Sequence, residues 1–484
     1  MSKILAAVGG TGQEIALACL RLSHMAGLEI PLVFVFDSDS DDHRPEVTDT
    51  ETRSEALKEL GKFIALYAGR DPLNFVEPIE HEQHTRDIQS LFSPFNKTPQ
   101  AVSDILALLT TAKQRETLIT EGFHGQPQVG AIAFTDAVRA GRLDGFMAAL
   151  DEATAAPGVA HSVVIVGGAA GGTGPGVMPV LARRLEQWRS GLIGGRKQQI
   201  AISVVVHLPW FQLVNASPTD IDVDGMERNS TCLVRFYSEE LAKLADRVVL
   251  LALPEMITRI SNGPHHQPET LHYLNAFSGW LAAELLTESA TRKSMAQQDL
   301  YGTAFTNDIQ ITELALTRDK STATVSLKKV LDTTRLMVGC GEELKIQLSH
   351  PHDLALPWEM RALAARIGEG LGRFVNRFYK LTDADRSMLE WLRKACLSSV
   401  NNGGGRDRND QQGLFRLSPG ATETSSGALA RIGAGLSPQR HVLVAQLIGA
   451  LQEDLFSVLD GPAEPEIRAA SLYRALRASL LRNL

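Results

Sequence analysis

Two glycine-rich runs in the chain have the composition of phosphate-binding turns. Residues 9–13 are GGTGQ, and residues 167–176 are GGAAGGTGPG, with six glycines. Because glycine has no Cβ, the peptide N–H groups of such a run can close around an anion, and the positive end of a following helix attracts the same charge. Thr173 adds a hydroxyl donor to the second run. The two runs predict binding of a phosphate-bearing ligand.

The chemistry available to these runs excludes one familiar class of phosphate loop. Neither run contains lysine or arginine, and no Gly-Lys-Ser/Thr sequence follows the glycines, so the second run is not a Walker A loop. Phosphate would then be held by backbone, helix dipole and metal. Asp37 and Asp39 follow the apolar run 31–36, where a carboxylate at a strand end can hold Mg²⁺ through water. An exposed acidic loop without function would have the same composition.

Strands and helices must position the two runs. Apolar runs predict five buried strands, at residues 4–8, 31–36, 163–166, 200–206 and 248–253. Helical apolar spacing follows each glycine run, at residues 15–22 and 177–185. Strands and helices alternate without a tight hairpin turn, which predicts an α/β fold with a doubly wound, mainly parallel sheet. Ligands of such a sheet bind at the carboxyl ends of its strands.

The second glycine run carries a family resemblance. Residues 171–176, GGTGPG, resemble the GGGTGSG loop of the tubulin/FtsZ superfamily of GTPases, with proline in place of serine at position 175. The resemblance covers about residues 1–315. It implies a prokaryotic tubulin-like protein with a Rossmann-like domain that binds GTP or GDP with Mg²⁺, the metal held through water by Asp37 and Asp39. The nucleotide-binding positions it implies in the turns are Gly9, Gly10, Thr11, Gly12, Gln13, Asp37, Gly168, Gly171, Gly172, Thr173, Gly174 and Gly176.

The resemblance also implies contacts to the rest of the nucleotide. A glycine-containing loop at residues 122–130 matches a family loop that touches the terminal phosphate. Asp224, Glu227 and Arg228 match a ribose-contacting region before a helix predicted at residues 230–244, although acidic residues there also suit ordinary helix capping. Asn275, near the start of a long core helix at about residues 269–288, matches the residue that recognises guanine. A locally satisfied polar residue in the helix core is the alternative for Asn275.

Catalysis in this family depends on assembly. The hydrolysing loop acts on the nucleotide of a neighbouring subunit, and the corresponding positions here are Asn307 and Asp308. Their spacing departs from the family pattern, and the alternating residues from 308 onward predict a strand. The resemblance therefore implies head-to-tail homo-oligomers or filaments, with GTP hydrolysis at subunit interfaces.

Composition restricts the class of protein. The chain has 484 residues, 44% of them hydrophobic, and a net charge of −8, which argues against a general nucleic-acid surface. Its four cysteines are scattered, which suggests neither a disulfide framework nor a zinc site. The N-terminus does not resemble a signal peptide, and no apolar run approaches the roughly 20 residues of a membrane helix. We expect a cytoplasmic protein with no membrane contact.

The chain beyond the resemblance is predicted to differ from the family. We expect a nucleotide-binding domain at residues 1–315 and a mostly helical region at 316–484, with flexible linkers at about 401–412 and 417–437. The C-terminal helices would offer a surface for a partner or for self-association, or they would cover the exposed face and edge of the nucleotide-binding domain's sheet.

Two alternative functions stay open. One is a non-polymerising regulatory or scaffold protein of the same fold that binds a nucleotide. The other is a Rossmann NAD(P)-dependent oxidoreductase, because Gly10-x-Gly12 is followed about 25 residues later by Asp37. Against the oxidoreductase, Ile15 occupies the place of the third glycine, and a dinucleotide fold does not require the second glycine run.

Overall fold

The structure is a computed structural model that describes part of the chain. The described residues are 2–25, 29–37, 60–61, 63–64, 76–78, 87, 100–116, 119, 123, 125–156, 159–192, 199–214, 223–240, 244–253, 257–260, 273–288, 304–306 and 309–314. The helices and linkers predicted for residues 316–484 lie outside them and stay predictions. The chain divides into two compact units, one of residues 1–18, 31–270 and 281–326 and the other of residues 19–30, 271–280 and 327–484.

Ten strands are described. They are β1 (Lys3–Val8), β2 (Leu32–Asp37), β3 (Val76–Pro78), β4 (His161–Gly168), β5 (Ile200–His207), β6 (Phe211–Val214), β7 (Arg247–Ala252), β8 (Ile257–Ile260), β9 (Ala304–Thr306) and β10 (Ile309–Leu314). Eight form one sheet in the order β3-β2-β1-β4-β5-β7-β10-β9, and β6 pairs with β8. The first six strands of the large sheet are parallel, whereas β10 and β9 extend it in antiparallel fashion. The predicted α/β class and mainly parallel sheet are confirmed.

Helices connect these strands. They are α1 (Gly9–Met25), α2 (Gln100–Leu109), α3 (Ala112–Arg115), α4 (Pro127–Arg139), α5 (Asp144–Ala153), α6 (Thr173–Gly191), α7 (Val223–Glu239) and α8 (Tyr273–Glu288). Within the described residues, no helix is both long enough and apolar enough to cross a membrane.

The central strands β1, β2, β4, β5 and β7 are mostly apolar because both faces of the sheet are covered. In β1, consecutive residues from Ile4 to Val8 have no exposed surface. Alternate residues of β1, β2, β4, β5 and β7 pack with α4, α5, α6 and α7 into one core. Phe36 occupies its centre, edge to face with Phe134 and Phe146 at ring-centroid distances of 5.9 and 5.1 Å. This core anchors α6, one of the two helices whose first turns form the candidate site.

The strand order reverses direction between β1 and β4. From β1, helix α1 leads to β2 on one side, whereas from β4, helix α6 leads to β5 on the other side. Right-handed crossovers then place α1 and α6 on opposite faces of the sheet. Their first turns flank the crevice at the carboxyl ends of β1 and β4, which is where open α/β sheets bind ligands.

Three helices begin earlier than predicted. Residues 9–12 are not a tight turn, because α1 starts at Gly9, which has a φ of +67°. The predicted loop 167–176 shrinks to residues 169–172, so that Thr173, Gly174 and Gly176 lie in the first turns of α6. Pro175 is compatible with this position, because the first N–H groups of a helix have no partner within it. Helix α7 starts at Val223 rather than at residue 230.

A buried ion-pair cluster fastens the other end of α6. The Arg189 guanidinium donates from Nε to Oε2 of Glu186 at 2.7 Å and from Nη1 to the Ile200 carbonyl at 3.2 Å. It also pairs with Asp246, which precedes β7 and accepts from the Ile202 N–H at 2.8 Å. The cluster connects α6 to the amino ends of β5 and β7. The glycine runs lie at the other end of the strands, the carboxyl end.

Candidate nucleotide site

The first turns of α1 and α6 touch each other. Strands β1 and β4 pair in register, Val8 with Gly167, so the two glycine turns leave the sheet side by side. A Cβ added to Gly168 would lie 2.9 Å from Oγ1 of Thr11, and one added to Gly9 would lie 3.2 Å from Cβ of Thr173. The structure therefore brings the two predicted turns into one site.

Some of the glycines are required by packing. A Cβ on Gly174 would lie 1.9 Å from the Gly168 carbonyl oxygen, and one on Gly12 would lie 2.7 Å from that of Val166. Real Cβ atoms do not approach backbone so closely, so these two positions accept only glycine. Glycine at these two positions lets the first turns of α1 and α6 pack directly against the strand backbone, which is a structural role rather than a ligand-binding one.

Packing does not require glycine at positions 10 and 171. Both are exposed, and a Cβ added to either would have no heavy atom of the described residues within 4 Å. The backbone at these two positions borders open space. No acidic residue occupies the first turn of α1 or α6, so no side chain there offsets the positive helix ends. An anion can approach the backbone at this point, which is the chemistry that the glycine runs predict.

Gln13 and Asp37, both predicted site residues, are brought together. Asp37 ends β2, the neighbour of β1, and its Oδ2 accepts a hydrogen bond of 2.7 Å from Nε2 of Gln13. The Gln13 side chain is buried, and Asp37 is half-buried. A carboxylate beside a phosphate turn suits Mg²⁺, which keeps several waters and needs only one or two protein ligands.

The rest of the predicted metal site is only partly described. Asp39 lies outside the described residues, so its part in the site stays a prediction. Among the residues that the structure does describe, no three His, Cys, Asp or Glu side chains cluster as metal ligands.

The predicted loop 122–130 is helical from Pro127, where α4 begins, and its described residues before that helix lie beside the second glycine run. The Gln126 N–H donates to the Phe123 carbonyl at 2.7 Å, and Gly125 between them has a φ of +72°. A Cβ on Gly172 would lie 2.6 Å from Cβ of Phe123. The 123–126 turn therefore packs directly on residue 172, and its contact with a terminal phosphate stays a prediction.

Asn229 is a residue of this site that sequence reasoning missed. Its Nδ2 donates to the carbonyl oxygens of Gly125, Ala170 and Gly171 at 2.8, 3.1 and 3.3 Å. The helix had been predicted to begin at residue 230, which left Asn229 outside it. The one available signal was its position directly after Arg228, a predicted site residue.

The neighbouring predicted residues are on the same helix. Asp224, Glu227 and Arg228 are exposed in the first two turns of α7. Their predicted contact with a ribose stays a prediction.

A buried histidine adjoins the second glycine turn without adding charge to it. His207 ends β5 in register with Gly168, and its carbonyl accepts from the Ala169 N–H at 2.7 Å. Burial lowers the pKa of the His207 imidazole to about 3. The ring is therefore neutral near pH 7, and it contributes no cation for phosphate.

The remaining predicted residues belong elsewhere. Asn275 is the third residue of α8, is 5% exposed and belongs to the second unit. Its recognition of guanine stays a prediction. Asn307 and Asp308 lie outside the described residues, between β9 and β10. The strand expected in this region is confirmed by β10.

Comparison with known proteins gives little further guidance. No protein-family model matches the sequence, and no curated protein matches it. Among solved structures, the chain is similar to CetZ2 from Haloferax volcanii, described as a GTPγS-bound protofilament, with 16% identity and a TM-score of 0.32. The match covers 62% of this chain and 61% of that one, which is less than two thirds of its length. A similarity of this size carries no functional conclusion.

Proposed function

We propose that this protein binds a guanine nucleotide, with the phosphates at the first turns of α1 and α6. The observation that carries the proposal is the open space over Gly10 and Gly171, at the point where the strand order reverses. The guanine base is inferred from the resemblance of residues 171–176 to the tubulin/FtsZ loop, not from the geometry of the turns.

Each residue group would have a distinct role. Backbone N–H groups near Gly10 and Gly171 would hold the phosphates, with the hydroxyls of Thr11 and Thr173 as further donors. Asp37 would hold Mg²⁺ through water, and the metal would supply positive charge beside the phosphates. From the resemblance, Asp224, Glu227 and Arg228 would contact the ribose and Asn275 the base.

The oxidoreductase alternative shares part of this geometry. A dinucleotide fold also reverses its strand order at this point and also places an acidic residue at the end of its second strand, as Asp37 is placed here. The second glycine turn favours the guanine nucleotide, because a dinucleotide needs only the first turn for its pyrophosphate.

A titration separates the two functions. Isothermal calorimetry of the full-length protein with GTP, GDP, ATP and NADH, each with Mg²⁺, should show binding of GTP and GDP and much weaker binding of the other two. Binding of NADH together with none of GTP would overturn the proposal. Identifying the nucleotide that copurifies with the protein gives an independent check.

We further propose that the protein self-associates head to tail and that GTP hydrolysis depends on this assembly. Support comes from the resemblance and from the glycine turns, which hold no residue with the chemistry of a general base. Asn307 and Asp308 of one subunit would act on the nucleotide of the next. A non-polymerising scaffold is the alternative, and either protein could use its predicted C-terminal helices to bind a partner.

A further inference from the structure

We propose that Asn229 is a positioning residue, which orients the N–H groups of Gly171 and Gly172 toward a bound phosphate. The inference rests on the proposed nucleotide binding and adds a residue that neither the glycine motif nor the family resemblance assigns. Asn229 lies in the second turn of α7, on the opposite side of the 170–171 backbone from a phosphate that these N–H groups would bind.

The contacts identify which end of the Asn229 amide faces the glycine turn. Its partners are three carbonyl oxygens, which can only accept hydrogen bonds, so the group facing them is the NH₂. Two hydrogens serve three acceptors. The Gly125 oxygen, at 2.8 Å, takes one, and the oxygens of Ala170 and Gly171, at 3.1 and 3.3 Å, share the other.

Peptide geometry converts these contacts into a direction for the N–H groups. In a planar trans peptide, the C=O of one residue and the N–H of the next point in opposite directions. Because the carbonyls of Ala170 and Gly171 point toward Asn229, the N–H groups of Gly171 and Gly172 point away from it. Two successive N–H groups aimed the same way form an anion-binding concavity.

Glycine makes this orientation dependent on a restraint. Gly171 is exposed, has no neighbour that a Cβ would meet, and has wide conformational freedom. A rotation of either peptide would present a carbonyl oxygen to the phosphate instead of an N–H. Asn229 opposes that rotation from a helix whose adjacent residues Met226, Ser230 and Leu233 are buried.

The test compares a ligand that has phosphates with one that lacks them. Full-length wild type, Asn229→Ala and Asn229→Asp are titrated with GTPγS. Guanosine affinity is then measured by its displacement of bound GTPγS from each protein. We expect Asn229→Ala to lose about tenfold in GTPγS affinity, the equivalent of one lost charge-assisted contact. Asn229→Asp should lose more, because a carboxylate there would repel the three carbonyls. Guanosine affinity should change less than twofold in both variants.

The matched control is Thr231→Ala, an exposed position on the same helix. It should bind both ligands like wild type. Asn229→Ser, which keeps one hydroxyl donor, extends the test if the other variants are too unstable to titrate, and its loss should again be confined to GTPγS.

The ratio of the two affinities decides the outcome. A variant that melts at a lower temperature but keeps the wild-type ratio of GTPγS to guanosine affinity would show a merely structural Asn229 and overturn the inference. An Asn229→Ala protein that binds GTPγS as tightly as wild type does overturns the inference but not the proposed function. Wild type that binds neither ligand overturns both.

Discussion

The Gln13 amide holds the Asp37 carboxylate beside the first turns of α1. Nε2 of Gln13 donates to Oδ2 of Asp37 at 2.7 Å, and the two residues are 24 positions apart in the chain. Gln13 comes from the first turns of α1, and Asp37 ends the strand beside β1. The bond fixes the position of the Asp37 carboxylate, which is the group proposed above to hold Mg²⁺ through water.

Replacing Asp37 should weaken nucleotide binding only when Mg²⁺ is present. We expect Asp37→Ala to lower GTP affinity about tenfold in Mg²⁺ and to leave it unchanged in EDTA, because the carboxylate acts through the metal. Calorimetry under both conditions measures this. Glu152→Gln, an exposed carboxylate on α5, is the matched control. An equal loss with and without Mg²⁺ would assign Asp37 to the nucleotide itself.

Substitution of Gly171 should affect GTP binding, whereas substitution of Gly174, in the same glycine run, should affect stability. Gly171→Val should leave the melting temperature nearly unchanged, because its side chain meets open space, and should abolish GTP binding by filling the phosphate position. Gly174→Ala should cost about 3 kcal/mol of stability or more, since its Cβ would lie 1.9 Å from the Gly168 oxygen. Thermal unfolding with and without GTP measures both. A Gly171→Val protein that binds GTP like wild type would place the phosphate elsewhere.

Breaking the buried ion-pair cluster should lower stability without affecting the site. Arg189→Met removes the guanidinium that pairs with the buried Glu186, and we expect the free energy of unfolding to fall by about 3 kcal/mol. The control is Arg235→Ala, whose exposed pair with Glu239 should be worth less than about 0.5 kcal/mol. Urea unfolding measures both changes. GTP affinity at low denaturant should stay at the wild-type value. The cluster lies at the amino ends of the strands, whereas the candidate site lies at their carboxyl ends.

His207 should make stability fall in acid. The unfolded chain binds a proton at His207 below about pH 6.5, whereas the folded protein binds it only near pH 3, so stability is lost as the pH falls through this window. Within this window, His207 should lower the free energy of unfolding by about 1.4 kcal/mol for each pH unit of acidification. Urea unfolding at pH 7.5 and 5.5 should show a smaller acid loss for His207→Phe than for wild type. Equal losses in the two proteins would mean that His207 is protonated in the fold.

GTP turnover, where present, should depend on protein concentration. Hydrolysis by residues of a neighbouring subunit requires assembly, so the activity per molecule should rise with concentration and fall strongly in Asp308→Ala. Phosphate release and light scattering over a hundredfold dilution series measure turnover and assembly together. Constant specific activity across the series, unaffected by Asp308→Ala, would favour the non-polymerising alternative.

Local patterns in the sequence were sufficient to predict five strands of the sheet and the two glycine runs that follow β1 and β4. Apolar runs of this length, at residues 4–8 and 163–166, are typical of strands between covered faces, and each runs into glycines that precede helical spacing. Asp37 was recognisable as a candidate because it directly follows an apolar strand. These features are encoded by residues close together in the chain, so one sequence suffices to find them.

The tertiary structure decided what each of these residues does. Gly171 and Gly174 are indistinguishable in sequence, yet one borders open space and the other lies against the Gly168 carbonyl. Asn229 acquires its contacts from turns 58 and 104 residues earlier in the chain. Such contacts depend on how helices and turns pack across the sheet, and no local periodicity or composition encodes them. The sequence alone therefore determined the strands, the glycine turns and their order, and packing determined which groups face the space where a phosphate would bind.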